Sequence, residues 1–181
     1  MILIQKNVIA FGLFTVVMFI GVLKKGSKLH GYLMPVRAEL SIVACLLSLG
    51  HVVVFVQTYY LRMTMRPEVM SSYQIAAVVC SAIFLVLMVP LLVTSFKRVH
   101  HLMAARSWKA VQFLAYPFYL LLFVHIFLFL VPPLASGTSS LSTMVNVGAY
   151  AVVCLAYIVL RLVRKRDKSN TKDEPRETAS L

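Results

Sequence analysis

Charged side chains interrupt this chain so rarely that their spacing alone dictates where it can cross a bilayer. There are 17 uncharged residues between Lys6 and Lys24, 22 between Glu39 and Arg62, and 28 between Glu68 and Lys97. A hydrocarbon core of about 30 Å needs about 20 helical residues at roughly 1.5 Å each, so each run is a candidate span. From Ala110 to Leu160 a further 51 residues carry no charge, too many for one helix, and the turn formers from Pro132 to Ser140 divide them. The expected fold is an all-α integral membrane bundle with five transmembrane helices, at about 4–23, 39–61, 74–96, 110–131 and 142–162. Composition agrees: 60% of the 181 residues are hydrophobic and 13% charged, where soluble proteins carry nearer a quarter.

The first run is read as a retained helix and not as a signal peptide, because no Ala-x-Ala-like site follows it and Lys24-Lys25 come directly after. Basic residues then set the orientation, since Lys and Arg in short loops favour the cytoplasm. Lys24, Lys25, Lys28 and Arg37 follow the first span, Lys97, Arg98, Arg106 and Lys109 follow the third, and seven more lie between Arg161 and Arg176. The opposite side receives only Lys6, Arg62 and Arg66. This places the N-terminus outside and the C-terminus in the cytoplasm, with net charges of +10 inside and +2 outside that account for the whole formal +12. A nucleic-acid partner is not needed to explain the charge. The expected organisation is one transmembrane domain, 1–163, in the cytoplasmic (inner) membrane, and a tail, 164–181, polar enough to be disordered.

Cys45, Cys80 and Cys154 lie singly on three spans, with no spacing that suits zinc or an iron–sulfur cluster. The histidines divide into two groups. His30, His100 and His101 fall in the basic loops, whereas His51 and His125 fall inside spans two and four. An ionisable group inside a span is costly to insert and points to function. His51 is 14 residues past Arg37, or about 21 Å along the helix, and His125 is 16 past Lys109, or about 24 Å. Two neutral imidazoles at similar depth on separate helices are what bis-histidine haem ligation requires. Equally, each histidine can serve as structural glue by hydrogen-bonding to a neighbouring helix. Around them, Ala44, Ser48 and Gly50 make room for a flat ring or for a helix, while Arg62 and Arg66, with Tyr59 and Tyr60, are candidates to meet haem propionates at the outer boundary.

The stretch Arg37-Ala38-Glu39-Leu40-Ser41-Ile42-Val43-Ala44 with His51, the helix end Pro90-Leu91-Leu92-Val93-Thr94-Ser95-Phe96-Lys97-Arg98, and Trp108-Lys109 followed by Tyr116, Tyr119 and His125 together resemble the ferric-reductase-like transmembrane domain family. Within it, the nearest branch is the haem b membrane subunit serving periplasmic methionine sulfoxide reductase. The resemblance covers roughly residues 10–131. It implies a b-type cytochrome in which His51 and His125 ligate the haem iron nearer the outer face. That family usually has a further histidine four residues after the tryptophan, where this chain has Gln112. Glutamine is a poor haem ligand, so the expected count is one haem b. Arg37, about 40° off the face of His51 and about 21 Å lower, points to an inner-side site, where His30, His100 or His101 would have to supply any replacement ligand.

No glycine-rich phosphate loop or soluble domain is present to hold a flavin or nicotinamide. The sequence therefore reads as an electron-transfer subunit, taking electrons from quinol and passing them to a separate extracytoplasmic flavoprotein or molybdoprotein. The alternative is a haem-free scaffold or assembly protein whose two intramembrane histidines bridge helices.

Overall fold

In lipid every backbone N–H and C=O must be satisfied within the chain, which for runs this apolar leaves only helices. The computed structural model describes residues 7–24, 26–137 and 140–173, and among these there is no strand. Eight α-helices follow in order: α1 Val8–Ile20, α2 Lys28–Leu33, α3 Arg37–Met65, α4 Ser72–Ser95, α5 Lys97–Leu102, α6 Ala105–Phe113, α7 Ala115–Ala135 and α8 Leu141–Asp173. A 3-10 turn, Pro67–Val69, joins α3 to α4. Lys6, Lys25, the opening residues of the first expected span, the tail beyond Asp173 and the His100 side chain lie outside what is described.

Among the described residues, four segments are long and apolar enough to cross a membrane: α3, α4, α6 with α7 (Ala105–Ala135), and α8 from Leu141 to Arg166. The chain is a multi-pass membrane protein. The helix of the first apolar run, α1, has 13 described residues, or about 20 Å.

Three of the departures from the charge pattern have a local reason. The fourth span is interrupted at Leu114, three residues before Pro117, whose missing N–H leaves the Phe113 carbonyl without its helical donor. At its far end the same span runs through Pro132 and Pro133 to Ala135. Both prolines already have a helical φ, and their carbonyls still accept, from Ser136 N at 3.1 Å and Ser136 Oγ at 3.3 Å. The helix stops instead at Gly137, whose φ of 68° is the left-handed C-terminal conformation that glycine adopts without strain. Finally, α8 continues past the apolar run to Asp173, so helix occupies 164–173 of the segment expected to be disordered. A helix already nucleated in the membrane extends through residues such as Lys and Arg at little cost.

Since lipid tails are as apolar as leucine, helices in a bilayer associate through close packing and interhelical hydrogen bonds. The most extensive packing joins α4 to α7 and α1 to α3. Phe84, Met88 and Leu91 of α4 share a buried core with Phe118, Leu122 and Phe123 of α7. Cys80 Sγ also donates to the Leu121 carbonyl at 3.3 Å. Against α3, Ala10 of α1 shares the buried core with the small residue Ala44, and Asn7 Nδ2 donates to the buried Ser48 Oγ at 3.4 Å. Tyr119, among the largest fully buried side chains, ties α7 to α1 by donating to Thr15 Oγ1 at 2.9 Å. The start of α4 carries a reciprocal capping box between Ser71 and Gln74.

Charge is segregated along the bundle. At one end Lys97 pairs with Glu39 at 3.4 Å, and the Arg161 guanidinium lies 3.7 Å from the Tyr116 ring centroid. Arg37 belongs to the same basic end, while Arg62 and Arg66 lie at the other, where α3 finishes.

Candidate functional site

His125 projects from the middle of α7 toward α4. Its Nδ1 lies 3.0 Å from the Ala77 carbonyl and 3.0 Å from Ser81 Oγ, while Ser81 Oγ donates to the same carbonyl at 2.9 Å. A carbonyl oxygen only accepts, so Nδ1 carries the proton and donates to Ala77, with the hydroxyl oxygen as a second acceptor. The other ring nitrogen, Nε2, therefore holds a lone pair. This is the tautomer in which a histidine ligates a metal, with the second nitrogen fixed by a backbone carbonyl. Phe84 and Phe129 meet the ring edge-on, at centroid distances of 5.4 and 5.1 Å, and restrict its rotation.

His51 sits on α3, half-buried, with its Nδ1 removed from solvent and its ring 4.7 Å from that of Phe55. His51 of α3 and His125 of α7 are joined through their aromatic neighbours. A ladder of rings links them: Phe55 meets Tyr59 at 6.3 Å, and Tyr59 of α3 meets Phe129 of α7 at 5.9 Å. Apart from this ladder, α3 and α7 are not among the extensively packed pairs, since each leans on α4. Counting back from the Tyr59–Phe129 contact puts His51 about one turn, or ~6 Å, below His125, where the helix ends alone suggested about 3 Å.

The other candidate residues fall at different places. Arg62 lies at the rim of the ring ladder, its guanidinium 6.0 Å from the Tyr59 centroid, and Arg66 is exposed one turn further on at the end of α3. Arg37 is at the opposite end of α3, lining a separate cavity with Gln112. Gln112 is engaged: its Nε2 donates to Thr94 Oγ1 at 3.4 Å. His30 and His101 stand on the short helices α2 and α5, away from the ring ladder. The small residues read as room beside His51 do different work. Ala44 and Ser48 pack against α1, and Gly50 is exposed with open space where a Cβ would stand.

Donor chemistry narrows what such a site accepts. Among the described residues no three His, Cys, Asp or Glu come together, so a zinc centre with three or four protein ligands is not assembled. Haem iron asks for only two axial ligands, and the two imidazoles, one of them with its tautomer fixed, fit that requirement. Sequence reasoning missed Ser81 and Ala77, which orient His125. The available signal was a hydroxyl within the third apolar run, seven residues past Gln74.

The chain is 39% identical over 153 residues to an uncharacterized protein of Treponema pallidum (strain Nichols), an alignment that takes in 84% of this chain and 41% of that relative. The chain thus spans about two fifths of the length of the relative it matches. No protein-family model matches it, and neither does any solved structure.

Proposed function

We propose that this protein is a membrane b-type cytochrome of the ferric-reductase-like kind, passing electrons from quinol to a redox partner outside the cytoplasmic membrane. The observation that carries the reading is the hydrogen bond from His125 Nδ1–H to the Ala77 carbonyl, which leaves the Nε2 lone pair available on a ring linked to that of His51 by the aromatic ladder. The reading has five spans, with α1 as the first, the N-terminus outside and the C-terminus in the cytoplasm. Positive charge at the end carrying Lys97, Arg37 and Arg161 supports that orientation.

Haem b, when bound, supplies a one-electron ferric–ferrous couple. The protein supplies the rest. His51 on α3 and His125 on α7 would hold the iron. Ala77 and Ser81 hold a proton at Nδ1 of His125 and raise the basicity of its other nitrogen. Phe55, Phe84 and Phe129 exclude water from the ligand rings. Arg62 and Arg66, at the mouth of the ring ladder, are cations suited to propionates. A single haem per chain follows from Gln112, which stands where the family carries a further histidine and is already bonded to Thr94. The receiving partner is a separate extracytoplasmic flavoprotein or molybdoprotein.

A second reading has one observation in its favour. The Ser81–His125–Ala77 contacts join α4 to α7, the pair with the most extensive packing, as a structural bridge in a haem-free scaffold or assembly protein would. Absorption spectra of the purified protein, expressed with ample haem, separate the two. The cytochrome gives a reduced-minus-oxidised haem b signal, one haem per chain by pyridine haemochrome, and loses it in the His51→Ala, His125→Ala double variant. The scaffold gives no such signal, and a signal that survives in the double variant removes these ligands.

A further inference from the structure

Below the histidine site, at the basic end, α1, α3, α4, α6 and α7 enclose a cavity of about 270 Å³. Its polar lining includes Arg37, Ser41, Thr94, Ser95, Trp108 and Gln112, and its apolar wall includes Met18, Met88, Leu91 and Phe118. The lining offers no imidazole, and the volume suits one substituted ring better than a porphyrin. Arg37 Nε is buried and has no hydrogen-bond partner among the described residues. A guanidinium N–H sequestered from water is costly unless an acceptor meets it. Gln112 spends one amide N–H on Thr94, whose hydroxyl donates to the Pro90 carbonyl at 2.7 Å, and its second N–H remains for a ligand. Lys97 also reaches the lining, but it is paired with Glu39. Along α3 the cavity extends from Arg37 to Cys45, which lies six residues, or about 9 Å, below His51.

We propose that this cavity binds the ring of a membrane quinone or quinol, with Arg37 and Gln112 donating to its oxygens and the apolar wall covering its face. The assignment rests on the electron-transfer reading for its choice of ligand, but not for its test. A headgroup seated here lies between the basic end and His51, the position that a donor within the membrane has to occupy.

Trp108 lines the cavity and is the one tryptophan of the chain, so its fluorescence reports this site alone. The experiment titrates decylubiquinone into the full-length protein in phosphatidylcholine nanodiscs, with haem content measured on the same sample. Expected are saturable quenching of Trp108, about tenfold weaker binding in Arg37→Gln from the loss of a charge-assisted hydrogen bond, and a smaller loss in Gln112→Leu. Both variants are compared at unchanged helical content, and if Arg37→Gln fails to fold, Gln112→Leu decides. Saturable, variant-sensitive quenching in a sample without haem b keeps the ring site while removing the cytochrome. Quenching that rises linearly without saturation, or saturates equally in the folded variants, overturns the ring site. Displacement of decylubiquinone by added phosphatidylglycerol also overturns it, by putting a lipid phosphate against Arg37.

Discussion

An imidazole inside a bilayer is defined by what each of its nitrogens touches. His125 spends Nδ1 on Ala77 and Ser81, and this decides which nitrogen faces the chemistry. Replacing Ser81 with alanine keeps the carbonyl acceptor and removes the hydroxyl. If His125 ligates iron, Ser81→Ala is expected to weaken haem retention about 10- to 100-fold, the usual cost of losing an outer-shell partner. Haem transfer to apomyoglobin measures it, and retention equal to the parent protein would assign the hydroxyl to packing only. His125 was legible in the sequence because a histidine stands out in a run of 51 uncharged residues. Ser81 was not, because serine is common in apolar helices and only the packing of α4 on α7 brings it to the ring. Ala44 and Ser48 teach the converse: periodicity put them on the face of His51, but a face does not say which neighbour covers it, and here that neighbour is α1.

Helices were legible as apolar runs, and their ends less so. Proline reads as a breaker in sequence, yet Pro90 and the Pro132-Pro133 pair lie within helices while Pro117 accompanies a break. Past Pro90 and past the Pro132-Pro133 pair the helix is reinforced by nearby hydroxyl residues: Thr94 and Ser95 donate to the Pro90 and Leu91 carbonyls, and Ser136 to those of Pro132 and Pro133. Element pairing was the least legible level, because every helix presents apolar residues to lipid and to protein alike. The α4–α7 seam is where the fold is most exposed to substitution. Met88 is 1% accessible in it, between Phe84 and Leu91. Met88→Ala is expected to destabilise the bundle by about 2–5 kcal/mol, the range for emptying a buried site of that size. Unfolding measured in detergent or by steric trapping should show that loss. By contrast, Val86→Ala on the same helix, 72% exposed to the surroundings, is expected to change stability little.

At the scale of the whole molecule, the charge count and the packed bundle address different questions. The count assigns sides, and the bundle independently gathers Arg37, Glu39, Lys97, Tyr116 and Arg161 at one end, with Arg62 and Arg66 at the other. The cavity at the basic end was legible only through Arg37 and Gln112, because it is a gap between five helices whose lining residues are far apart along the chain. The proposed orientation makes a direct prediction. Glu68 and Arg106 are exposed and flank α4, so a single crossing must put them on opposite sides. In a protein whose Cys45, Cys80 and Cys154 are replaced by alanine, a membrane-impermeant maleimide is expected to label Glu68→Cys on intact spheroplasts and Arg106→Cys only after lysis. Lys24→Cys should behave like Arg106→Cys, and a cysteine placed ahead of Met1 like Glu68→Cys, because α1 then crosses as the first of five spans. The reverse pattern at positions 68 and 106 would invert the protein, and with it the side on which the proposed redox partner would dock. A cysteine ahead of Met1 that labels together with Lys24→Cys would leave four crossings, with α1 packed against α3 from within the bundle without traversing it.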